Sequence, residues 1–88
     1  MARVDVETYR RMYLKPVQDR MMEHKDSIPN YSSKLLNDAL LEEINMKADP
    51  ETWEVEVPDN KDQAMKEAEQ RITEIMKHNK DLGVGKSF

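Results

Sequence analysis

Ser32-Ser33-Lys34-Leu35-Leu36-Asn37-Asp38-Ala39-Leu40-Leu41-Glu42-Glu43-Ile44-Asn45-Met46 carries its apolar residues at Leu35, Leu36, Ala39, Leu40 and Ile44. That three-to-four-residue spacing lays one stripe along a helix and predicts an amphipathic helix running to about Met46. Ser32 or Ser33 can cap it, because a side-chain oxygen before the first turn accepts from its free amides. Leu41 lies at the edge of the stripe. Glu42 and Glu43 stand late in the helix, where the negative end of the dipole disfavours them, and nothing local accounts for them.

Downstream, Ala48-Asp49-Pro50-Glu51 ends the helix. Trp53-Glu54-Val55-Glu56-Val57 then alternates strictly, predicting a half-buried strand with Trp53, Val55 and Val57 on one face. Pro58 closes it. Asn60 followed by Gln63 reads as a capping box. It opens a last helix to about Leu82 with the stripe Ala64, Met65, Ala68, Ile72, Ile75 and Met76, and Gly83 is a natural C-cap.

Upstream, Val6 to about Lys25 reads as a helix capped by Asp5, with Leu14, Val17 and Met21 facing inward and Tyr9 and Tyr13 beside that stripe. Pro16 lacks an amide hydrogen and its ring crowds the preceding turn, so a kink or a restart is expected there. Asp26 to Tyr31 is a connector, in which Pro29 biases Ile28 away from helix.

The fold class that follows is mainly α: three to four short helices around one small core. A single short strand or a minimal two-stranded β ribbon completes it. A strand needs backbone partners, and Ala2-Arg3-Val4-Asp5-Val6 is the other alternating stretch; the alternative is pairing with another chain. Residues 1–88 are expected to form one small domain, with 83–88 a flexible or docked tail. The chain is 38% hydrophobic and 36% charged, so its core is thin, and a second copy or a partner is a natural source of further stability.

The net charge of −4 is unevenly placed, since residues 26–60 hold 2 basic and 9 acidic side chains. The acidic middle can steer a partner, although a solvated charged surface is the readier explanation. With no cysteine, disulfides, thiolate catalysis and Cys-based zinc sites are excluded. No stretch has the apolar length of a membrane span, and Met1–Asp5 has no signal-peptide character, so a cytoplasmic protein is expected.

The motifs of chemistry are incomplete. Gly85-Lys86-Ser87 resembles the end of a P-loop, but Lys80 stands where the loop needs its first glycine. His24 and His78 are the only histidines; Glu74 and His78, four apart, supply two ligands and not a site. With two glycines and no readable pair of carboxylates, there is little to shape a substrate pocket. No enzyme activity, no cofactor and no metal are expected.

Two binding readings remain. The first is a non-enzymatic accessory protein that binds another protein or its own copies, as an adaptor, assembly component or inhibitor. Its contact residues would be Trp53, Val55 and Val57 on the strand, with Met12 and Met22, which diverge from the inward stripe of the first helix. The alternative is nucleic-acid binding, with Arg10, Arg11, Lys15 and Arg20 on phosphates and Tyr9 and Tyr13 stacked on bases. The intervening Glu7, Asp19 and Glu23 and the acidic chain weigh against it. A third possibility is a small-ligand site formed between subunits.

Overall fold

The structure, a computed structural model, describes residues 2–28 and 31–81. Of these, 73% are helical. Strand β1 (Ala2–Asp5) leads into α1 (Val6–Tyr9), a π turn (Arg10–Leu14) and α2 (Lys15–Glu23), which run on as one rod. A short 3-10 turn (Lys25–Ser27) follows, then α3 (Ser33–Lys47), β2 (Glu54–Val57) and α4 (Lys61–Asp81). Three helical rods thus enclose one core against a two-stranded antiparallel ribbon.

Each of the three rods starts with its expected side-chain cap. Asp5 accepts from the Thr8 amide at 2.8 Å, Ser32 from Leu35 at 3.1 Å and Asn60 from Gln63 at 3.1 Å. The Gly83 cap and the 83–88 tail lie outside the described residues.

The break expected at Pro16 takes the form of the π turn. The Lys15 amide reaches back five residues to the Arg10 carbonyl, and Pro16, which has no amide hydrogen to continue the ladder, follows at once in the first turn of α2. The wide turn has a second effect. On a regular α-helix Tyr9 and Leu14, five residues apart, would point about 140° away from each other. Here both are buried in the same core. Tyr9, placed beside the stripe by periodicity, is therefore a core residue.

The ribbon settles how the strand is partnered. Val4 lies opposite Val55, and Arg3 opposite Glu56, within the chain. Ala48 bridges Val55 as well. Val55 and Val57 face the core, packed with Val17, Leu36, Ile72 and Met76 among others. On the solvent face, the Arg3 guanidinium ion-pairs with Asp49, Glu54 and Glu56.

Candidate functional site

Trp53 does not continue the strand. Its φ is +58°, the left-handed region, and the residue is 52% exposed. The turn that carries it is closed by Asp49. The Asp49 carbonyl accepts from the Trp53 amide at 2.7 Å, its own amide donates to the Glu54 carbonyl at 2.8 Å, and its carboxylate accepts from the Glu51 amide at 2.8 Å. That last bond chiefly holds the Asp49 carboxyl below the usual range. The Trp53 carbonyl accepts from the Val6 amide at 3.1 Å, which ties the turn to the start of α1. Closing so short a loop requires a residue in the left-handed region. Glycine or asparagine is the ordinary choice; a tryptophan is not.

A groove of about 630 Å³ runs between the first rod and α3, and its Glu7 end follows the Val6 that bonds the turn. Its floor includes the buried Leu14 and Ile44, and Leu41, 59% exposed, stands on its α3 side. Arg10, Arg11 and Lys15 line it from the other side, with Glu7 toward the α1 start. Lys15 is paired with Asp19 at 3.0 Å. Among the described residues Arg10 and Arg11 form no ion pair; Asp5 is close enough to Arg11 to feel its charge.

The residues expected to bind divide accordingly. Trp53, Met12 and Met22 are exposed, and Val55 and Val57 are not, because the strand pairs within the chain and turns them into the core. Those two side chains are therefore part of the protomer's own core. Of the proposed nucleic-acid set, Arg10, Arg11 and Lys15 share the groove, and Arg20 lies apart, 3.6 Å from Glu69. Tyr9 is 1% exposed and cannot receive a base. Tyr13 is half-buried, its ring stacked 5.6 Å from that of Tyr9 and overlain by Lys61. The stacking platform of that alternative is therefore not formed.

Periodicity missed a buried polar cluster. Glu43 is wholly buried and receives Arg71 on both oxygens, together with the Tyr9 hydroxyl at 3.0 Å. Burial, then the adjacent carboxylate, raises the Tyr9 hydroxyl's pKa above its ordinary value; the bond to Glu43 raises that of Arg71. Next to it, Asn79 donates to Glu42 at 3.0 Å. The late glutamates of α3 are thus receptors for α4 and α1. The signal was present: Leu36, Ala39 and Glu43 follow the spacing of the inward stripe.

Glu74 and His78 line a shallow depression with Glu42 and Met46. Among the described residues no three His, Asp or Glu side chains are placed to hold a metal. None of the described helices is long and apolar enough to cross a membrane. Gly85-Lys86-Ser87 lies outside the described residues. Comparison with protein-family models, with curated proteins and with solved structures found no match.

Proposed function

We propose that this chain is a non-enzymatic protein-binding module and that Trp53 is its anchor. One observation carries the reading: a large aromatic occupies a left-handed backbone position while half its surface faces solvent. A bulky side chain there is disfavoured by about 1–2 kcal/mol. Burial in its own core would offset that, and half-exposed Trp53 obtains only part of it. Such a combination is expected where a residue serves a contact outside the chain, and tryptophan is the residue most enriched among those that dominate binding energy.

The test is a photo-cross-linking residue at position 51, exposed on the same turn, introduced into the full chain in its native host. Specific protein adducts that vanish when Trp53→Gly is added support the reading. No adduct of any mass, or adducts indifferent to Trp53→Gly, would overturn it.

A further inference from the structure

We propose that the occupant of the groove is the Trp53 turn of a second copy of this chain, exchanged reciprocally to give a closed dimer. The inference rests on the protein-binding role of Trp53 and names its partner. Knob and groove each present apolar surface. An exposed indole stands on the turn, and the groove, about 630 Å³, has a leucine-rich lining large enough to receive it.

They are also complementary in charge. Around Trp53, the carboxylates of Asp49, Glu54 and Glu56 share one guanidinium, that of Arg3. Glu51, on the same turn, has no ion pair among the described residues, so the turn is acidic. Across the groove, Arg10 and Arg11 form no ion pair among the described residues, Asp5 alone being near enough to feel the charge of Arg11, and Glu7 is the single acidic residue in the groove's lining. Opposite potentials of this kind orient an encounter and fix its register.

The two surfaces also adjoin. The Trp53 carbonyl is bonded to Val6, and the next residue, Glu7, lines the groove. When a knob and its hole lie side by side on one face, a two-fold axis that seats one knob seats the other. The contact is then isologous and closes at two copies. A thin core gains stability from the same event.

Trp53 is the single tryptophan, so its emission reports its own environment. For the purified full chain, sedimentation should show a dimer, with a blue shift of emission as concentration rises. Trp53→Gly and Leu41→Glu alter exposed positions and should each raise the dissociation constant at least about 30-fold. The decisive step mixes the two. Leu41→Glu keeps its tryptophan and Trp53→Gly keeps its groove, so titrating in Trp53→Gly should restore the blue shift through one remaining seat. Added salt should weaken it. A wild-type chain that stays monomeric at high concentration overturns the dimer. So does a mixture that keeps the emission of the monomer, as it would if the tryptophans packed on each other. A monomer that still gives position-51 adducts with a different protein leaves the protein-binding reading standing, whereas loss of all adducts removes both.

Discussion

Arg71 of α4 clasps Glu43 of α3 in a two-pronged contact, with Nε 2.8 Å from Oε1 and Nη2 2.8 Å from Oε2. Glu43 has no access to water, while the Arg71 side chain is 31% exposed. The partners are therefore unequal. Removing Arg71 strands a buried carboxylate, and removing Glu43 leaves a guanidinium that can turn toward solvent. Arg71→Met should destabilise by about 3–5 kcal/mol, and Glu43→Leu by less. The triple change Glu43→Leu, Arg71→Met and Tyr9→Phe removes every orphan and should recover most of the loss. Urea denaturation of the variants measures the order.

Tyr9 should make stability fall at alkaline pH. Burial raises its pKa above the ordinary 10.0, and the Glu43 carboxylate adds to the effect. A raised folded-state value means that the contribution is complete below the unfolded pKa and is lost as pH climbs past it. Near neutral pH, Tyr9→Phe should be less stable by about 1.5 kcal/mol, one hydrogen bond to a charged group. Above pH 10 the gap should narrow, because the unfolded wild-type chain gains by ionising and the variant cannot. Thermal melts of both proteins across that range give the comparison; a gap that stays constant would detach Tyr9 from the alkaline loss.

The Ser32 cap offers a simpler case. Its hydroxyl satisfies the Leu35 amide at the head of α3, and Ser32→Ala leaves that amide without a protein partner. The expected loss is about 1 kcal/mol, or roughly 4–8 °C in the melting temperature for a domain of this size. Ser33→Ala, one residue inside the helix, should change little. An equal effect from both would show that capping is not the cause.

The sequence carries the helices and the ribbon plainly because each rests on local chemistry. Asp5, Ser32 and Asn60 are capping residues, and the Leu35–Ile44 stripe has one period. The alternation of Val55 and Val57 predicts their burial face correctly, but it cannot say which chain supplies the opposite strand. Periodicity sets Tyr9 beside the stripe because it assumes 3.6 residues per turn, whereas the π turn inserts one residue between it and Leu14. The role of Glu43 is not legible locally because its partners are 28 and 34 residues away, and no local rule joins an acid on one helix to an arginine on another. Trp53 illustrates the same limit. Strict alternation puts it on one face with Val55, but the loop closure by Asp49 and Val6 turns its backbone left-handed, and the strand begins one residue later.

Trp53→Gly separates an anchor from a core residue through stability alone. Truncating a buried tryptophan destabilises by about 3–5 kcal/mol, since it removes packed area and leaves a cavity. Trp53 is 52% exposed, and its φ of +58° suits glycine. Two opposing effects then act on the variant. Glycine relieves about 1–2 kcal/mol of backbone strain, and it loses the partial burial of the indole while enlarging the freedom of the unfolded chain by a comparable amount. The net change should lie within about 1 kcal/mol of wild type. Trp53→Ala keeps the Cβ that disfavours this backbone while losing the ring, so it should be less stable than Trp53→Gly. That order, glycine above alanine, is the reverse of what a regular strand position gives, where glycine is the worse residue. Urea titrations of the two variants, performed at low protein concentration, read the folding term by itself. Alanine above glycine would place Trp53 in ordinary extended backbone and remove the strain on which its role as an anchor is argued.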